Sequence, residues 1–167
     1  MNNSILLFLI FIGITVRLQA QTSDSLRIDS TIKKFYQTLS FDKPDANHYD
    51  ELTLFLIPQG LLISNVGKEP RFATTSEYIS VSKATFRQQQ ITTWEEQEVC
   101  SRTEIFGKVA QRFSTYNIRI IANGKENLRS GINAIQLIKQ NDTWLITSVA
   151  WDKEAPDQKI PSKYNCQ

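Results

Sequence analysis

The stretch at 131–154, GINAIQLIKQNDTWLITSVAWDKE, constrains the fold more than any other part of the chain. It predicts a closing β-hairpin. Ile132, Ile135, Leu137 and Ile138 supply one strand; Trp144, Leu145, Ile146, Val149 and Trp151 supply the other. Asn141 and Asp142 lie between them. Both residue types tolerate left-handed backbone and hydrogen-bond their own main chain, so they read as the turn. Regular alternation puts Trp144 and Ile146 on one face and Leu145, Val149 and Trp151 on the other. Bulk on both faces predicts that both are at least partly covered.

Upstream of the hairpin, the period of the apolar pattern changes once. At 21–39, Ile28, Ile32, Phe35, Tyr36 and Leu39 recur at helical spacing, with Arg27, Lys33, Lys34 and Gln37 opposite them. A shorter helix is expected after Pro44-Asp45, through Tyr49, Leu52, Leu54 and Phe55. Pro58-Gln59-Gly60 breaks the chain. Leu61-Leu62-Ile63 and Phe72-Ala73 read as two short strands around a loop with Gly67 and Pro70. Thr75 or Ser76 opens a third helix, with Glu77 in its first turn and Tyr78, Ile79, Val81, Ser82 and Phe86 as its face. From Thr92 the period is two. Long strands are expected at 94–106 and 109–122, with turns at Gly107 and Asn123-Gly124. The order is helix, helix, two short strands, helix, four long antiparallel strands. That order implies an α+β domain with its helices on one face of a curved sheet.

The chain has 167 residues, 41% of them hydrophobic and 22% charged, which suits one domain with an ordinary core. The formal charge is only +2 and no Lys/Arg run stands out, which argues against nucleic acid as a partner. The apolar run at 5–16 has the length of a signal peptide and is short for a membrane span. Cleavage after Ala20 would divide the chain into a signal peptide (1–20), a folded domain (21–154) and an irregular C-terminal tail (155–167). The protein is then exported, periplasmic or secreted, with no membrane association beyond the signal peptide. Export permits a disulfide between the two cysteines, Cys100 and Cys166, if the tail folds back. The alternative is one buried and one exposed thiol.

Three stretches carry a resemblance to the NTF2-like superfamily, in particular to its SnoaL-like and DUF4440-type members. The first is Phe35-Tyr36 followed by LFLIPQGLLI at 54–63. The second is GKVAQRF at 107–113, and the third is the closing hairpin. The resemblance spans roughly 24–153 and suggests an exported bacterial member. It implies an NTF2-like cone: a strongly curved antiparallel sheet with three N-terminal-half helices packed on its concave side. It implies little about activity, because the fold hosts isomerases, dehydratases, cyclases and non-enzymatic modules. Isomerase-like members place an acidic base at the end of the first strand. Here that position reads Leu61-Leu62-Ile63-Ser64-Asn65, without a carboxylate.

Metal binding is not indicated. There is one histidine, and the Asp42, Asp45, His48, Asp50 cluster reads as a polar helix start. No nucleophile motif and no phosphate loop occurs, and no cofactor is expected. The acid–base candidates are Glu98 and Glu96 as base, with Tyr36 or Tyr116 as donor. Glu96 and Glu98 share a face with Trp94 and Cys100, and Arg112 shares one with Tyr116. The preferred placement of the Glu face is outward and solvated, paired with Arg112 and Arg119, because clustered carboxylates are costly to bury. A ligand-binding set would comprise Tyr36, Trp94, Tyr116 and Trp151. The leading functional reading is an exported domain that binds a small apolar or amphipathic ligand in a cone-shaped cavity without catalysis. The alternatives are an isomerase-, dehydratase- or cyclase-type acid–base enzyme and a homodimeric interaction module; a homodimer is expected in either case. Asn141-Asp142-Thr143 matches a glycosylation acceptor but in a bacterium is only a turn.

Overall fold

A computed structural model describes residues 23–43 and 47–166. The expected signal peptide and the Pro44-Asp45 start of the second helix lie outside the described residues. Helix α1 spans residues 23–39 and buries Ile28, Ile32, Phe35, Tyr36 and Leu39, the stripe its spacing predicts. The segment Tyr49–Leu54 forms a 3-10 turn, not a second α-helix. Six residues are too few to offset the cost of nucleating an α-helix.

Strand β1 (Leu56–Ser64) and strand β2 (Arg71–Thr74) form an antiparallel pair. Helix α2 (Thr75–Gln88) starts at once with a capping box. The Thr74 side chain accepts from the Glu77 N–H, and the Glu77 carboxylate accepts from the Thr74 N–H. Then come β3 (Ile91–Phe106), β4 (Val109–Ala122), β5 (Lys125–Gln140) and β6 (Thr143–Lys153). Their turns are tight. Asn123 and Gly124 have φ of 50° and 70°, and Asn141 and Asp142 have φ of 47° and 61°. These are the left-handed pairs that two-residue hairpins require.

The six strands make one sheet in the order β2-β1-β6-β5-β4-β3. The α+β class holds, but the expected strongly curved antiparallel cone does not. The sheet is open, neither closed nor strongly curled, with β2 and β3 as its edges. It is also mixed, because β1 runs parallel to β6. The short β2 explains the open edge: it offers four residues before the chain turns into α2.

Two bulges correct the faces read from regular alternation. Leu137 pairs with Ile146 and Gln136 with Ser148, so Thr147 is an extra residue in β6. Trp144, Ile146, Val149 and Trp151 therefore all share the inner face, instead of dividing between two. In β3, Glu98 pairs with Tyr116 and Cys100 with Thr115, so Val99 is extra. Cys100 is thereby turned away from Trp94, Glu96 and Glu98 onto the outer face.

The core lies between the inner face of the sheet, α1, α2 and the 3-10 turn. Trp144 and Tyr49 are its largest fully buried side chains. Helix α1 is pinned at both ends. Asp24 accepts from Trp144 Nε1 at 3.2 Å and from Lys139 Nζ at 2.8 Å. Beyond its C-terminus, Phe41 and Trp94 exchange backbone hydrogen bonds of 2.7 and 2.8 Å.

The tail is less irregular than expected. It contains a 3-10 turn at Ser162–Tyr164 and returns to the outer face. Cys166 is bonded to Cys100, Thr115 Oγ1 donates to the Tyr164 carbonyl at 2.7 Å, and the Tyr164 ring stacks on Phe113 at 5.2 Å. The bond spans 66 residues, and closing a loop of that length removes about 4 kcal/mol of chain entropy from the unfolded state. Replacing both Cys100 and Cys166 by Ser is therefore expected to lower the urea midpoint substantially. An unchanged midpoint would show that the tail adds nothing to stability.

Candidate functional site

Register determines which side chains meet under α1. On β4, Arg112 lies opposite Ile135, Ser114 opposite Asn133, and Tyr116 opposite both Glu98 and Gly131. Glu96 lies opposite Ile118. Ile118, Ile135 and Ser114 are buried, so this row faces the core. Glu96 and Glu98 thus point inward beneath the helix, against the outward placement expected for them. Glu95 is the outward residue, with Arg119 Nη1 at 3.0 Å, and Arg119 also pairs with Glu126 at 2.6 Å. Burial of two carboxylates is tolerated because each finds its own set of partners.

Arg112 provides one set. Its side chain is only 6% exposed. Nε donates to Glu98 Oε1 at 2.9 Å and Nη2 to Glu98 Oε2 at 2.5 Å, a two-pronged pair. Nη1 donates to Asp29 on α1 and to Thr103 on β3, each at 2.7 Å. Burial works against the charge of this guanidinium, but the two carboxylates around it outweigh burial and raise its pKa.

A directed hydrogen-bond chain runs on from Glu98. Ser114 Oγ donates to Glu98 Oε1 at 2.5 Å. The single serine proton being used, the Tyr36 hydroxyl donates to Ser114 Oγ at 2.6 Å. Asn133 Nδ2 donates to the Tyr36 oxygen at 2.9 Å and to Glu96 Oε1 at 3.3 Å. Tyr36 therefore has its proton committed to Ser114. Burial pushes its pKa up, and the negative charge of Glu96 adds to the shift. Tyr36 thus donates to Ser114 and accepts from Asn133, and Glu98 accepts two hydrogen bonds from Arg112 and one from Ser114.

Glu96 differs. Its partners are neutral donors: Asn133 Nδ2, and Trp94 Nε1 at 3.3 Å to Oε2. Its backbone N–H is held by Ser40 Oγ at 2.9 Å. The side chain keeps partial access to solvent, yet protein surrounds the carboxyl closely enough that desolvation raises its pKa to about 7. The two hydrogen bonds oppose that rise and do not cancel it.

Aromatic rings complete the enclosure. Phe86 packs 5.5 Å from Trp94 and 5.0 Å from Tyr49; Tyr49 stacks on Tyr78 at 6.1 Å, and Tyr78 meets Trp151 edge-on at 5.9 Å. Tyr36, Trp94, Tyr116 and Trp151 thus all lie on the helix-covered face. Trp94 and Trp151 are partly accessible, whereas Tyr36 and Tyr116 are buried. Gly131 makes room for Tyr116: a Cβ there would lie 2.4 Å from the tyrosine hydroxyl and 2.2 Å from the Asp152 carbonyl. Tyr49 is wholly buried and its hydroxyl has no hydrogen-bond partner among the described residues. Sequence reasoning misses Asn133, Ser114, Tyr49 and Tyr78 as site residues. Asn133 carries a signal, since it shares the parity of Ile135 and Leu137 on a strand that otherwise turns apolar residues inward.

Of the acidic cluster near His48, Asp45 lies outside the described residues. His48 pairs with Glu51 at 3.4 Å, and Asp50 pairs with Lys83. Among the described residues, no group of three or more His, Cys, Asp or Glu side chains is arranged to hold a metal ion.

Two substitutions separate the roles of the two carboxyls. Arg112→Met leaves Glu98 without its cation, and should cost about 3 kcal/mol in urea unfolding; a loss within error of zero would show that the pair is not structural. For Glu96, the carboxyl titrates near 4.5 unfolded and near 7 folded, so the folded state holds the extra proton between those values. Stability attributable to this group is greatest below about pH 4.5 and falls as pH rises through 7. Glu96→Gln should therefore stabilise the protein at pH 8, by up to about 3 kcal/mol, and have little effect at pH 4.5. Equal melting temperatures for the two proteins at pH 8 would rule out the buried, raised carboxyl.

No family model matches the sequence, and no curated protein matches it. Solved structures do match in fold. A protein of unknown function from Mycobacterium tuberculosis, solved as a single-substitution variant, is 16% identical, with a TM-score of 0.65 over 86% of this chain and 80% of that one. A protein from Catenulispora acidiphila, solved in complex with S-DNPA, is 9% identical, with a TM-score of 0.62 over 79% of this chain and 94% of that one. An NTF-2 like protein of unknown function from Silicibacter pomeroyi is 8% identical, with a TM-score of 0.55 over 80% and 98%. At such identities the likeness is one of fold: this chain is structurally similar to several NTF2-like proteins, with an open sheet in place of the cone.

Proposed function

We propose that this protein binds a small amphipathic molecule at the helix-covered face of its sheet, with the Glu96 carboxyl as polar anchor and Trp94, Tyr78 and Trp151 as apolar walls. One observation carries the reading: Glu96 is a half-buried carboxyl on the helix-covered face whose side-chain hydrogen-bond partners are all neutral, and desolvation raises it to about 7. Such a group works against stability and marks a site where chemistry or recognition outweighs packing. The similar fold solved in complex with S-DNPA gives fold-level support. Export belongs to the same proposal, and the Cys100–Cys166 bond supports an oxidising compartment.

A second reading rests on the same carboxyl. A group that titrates near 7 suits general acid–base work at neutral pH. In that reading Glu96, not Glu98, is the base, and Tyr116 is the donor, since its hydroxyl makes only a long 3.4 Å contact to the Asp152 carbonyl.

Native mass spectrometry of protein purified from an exporting host separates these readings. A retained adduct of defined mass, lost in Glu96→Gln, is expected for a binding protein. Turnover of that compound by the wild type alone would favour the enzyme. Bare protein in both forms, with no response to a ligand library, would count against the site.

A further inference from the structure

The surroundings of Glu96 are rich in rings, and the side chains bonded to it carry no charge; Arg129, exposed on β5, lies in the same cross-strand row through Ile118. Arg112 is occupied by Glu98, Asp29 and Thr103. The side-chain donors to Glu96 are an indole and an amide. The rings of Trp94, Phe86, Tyr49, Tyr78 and Trp151 succeed one another at 5.0 to 6.1 Å, running from β3 to β6 past α2. At the centre of this run, the fully buried Tyr49 hydroxyl has no partner among the described residues.

From this arrangement we infer that the site selects an organic ammonium: a protonated or quaternary amine on an apolar body, with its charged head between the Glu96 carboxylate and the ring faces. The inference rests on the binding reading above and specifies the class of ligand. An unpaired carboxylate in a low-dielectric setting lacks an opposite charge, and a cationic ligand supplies it. Ring faces attract cations through their quadrupole, most strongly where water is excluded. An anionic ligand would meet the negative charge of Glu96 and Glu98, with Arg112 already paired. A neutral ligand would gain the ring contacts alone, or would accept a hydrogen bond from Glu96 in its protonated form.

The choice of ligand sets the sign of the pH dependence. The titratable groups around Glu96 are Tyr36 on α1, Tyr49 on the 3-10 turn, Tyr78 on α2, Glu98 on β3, and Tyr116 and Arg112 on β4, with Asp152 on β6 and Arg129 on β5 acting on Tyr116. The four tyrosines are shifted upward and stay neutral near pH 7, Arg112 is shifted upward and stays charged, and Glu98 is held in its ion pair. Among these groups, Glu96 is the one whose pKa is raised into the neutral range. A cation binds its ionised form, which grows about tenfold in population from pH 6 to pH 8 if the group titrates at about 7.

The test is calorimetric titration of the full, disulfide-bonded protein with three probes of similar size: benzylammonium, benzyl alcohol and benzoate. Benzylammonium is expected to bind at least tenfold more tightly than benzyl alcohol, and benzoate not to bind. Its affinity should rise about tenfold between pH 6 and pH 8 and lose that dependence in Glu96→Gln, with folding of the variant checked by circular dichroism. The wild-type pH profile tests the inference even if the variant misfolds. Equal or tighter binding of benzyl alcohol or benzoate, or an affinity that falls with pH, overturns the cationic class and leaves the small-ligand reading standing. No binding of benzylammonium at millimolar concentration overturns the inference outright. No binding of any probe, together with an empty native mass spectrum, removes the small-ligand reading as well.

Discussion

Arg112 lies where α1 crosses the sheet, and its hydrogen bonds join the two layers. A guanidinium this deep is tolerated only when it is paired, and Glu98, Asp29 and Thr103 take four of its five N–H donors. The consequences spread outward. Glu98, fixed by Arg112, takes the Ser114 proton; Ser114 takes the Tyr36 proton; Tyr36 accepts from Asn133. Helix α1, β3, β4 and β5 are thereby locked in one relative position by a chain in which every proton has a direction.

Glu96 is the counterpoint. It sits two residues before Glu98 on the same strand and the same face, yet it faces an indole and an amide instead of a guanidinium. One carboxyl is anchored by charge, while the other is raised by desolvation to about 7. The two carboxyls thus differ in partners alone, since strand and face are the same. The anchored carboxyl serves the unanchored one, because the network that ends on Glu98 also presents Asn133 to Glu96.

The two bulges divide the sheet between functions. Thr147 re-phases β6 so that Trp151 joins Trp144, Ile146 and Val149 on the inner face, where it reaches Tyr78. Val99 re-phases β3 in the opposite sense, and Cys100 leaves the carboxylate face for the outer one. There it holds the C-terminal tail, with Tyr164 stacked on Phe113. One extra residue in each strand therefore separates the helix-covered face from the face that fastens the tail.

Local chemistry was enough for much of the fold. The left-handed turns at Asn123-Gly124 and Asn141-Asp142, the apolar stripe of α1, Glu77 in the first turn of α2 and the long strands up to Phe106 and Ala122 all follow from residues within a few positions of one another. The site was only partly legible for the opposite reason. Alternation along β3 shows that Glu96 and Glu98 share a face, but it is satisfied equally with that face inward or outward. The choice fell to Arg112, Asn133, Tyr36 and Asp29, which are remote in sequence and meet only once the strands are in register. A bulge leaves no mark in composition, so the faces of Trp151 and Cys100 could not be read before pairing was known. Whether the sheet closes depends on what its edge strands meet. By itself the sequence determined where the two long helices, the four long strands and their tight turns form, because those depend on short-range backbone preference and periodicity; it misplaced the second helix and the break at Pro58-Gln59-Gly60, which lies inside β1. Only the tertiary structure decided which carboxyl received a cation and which was left without one, because that depends on long-range register.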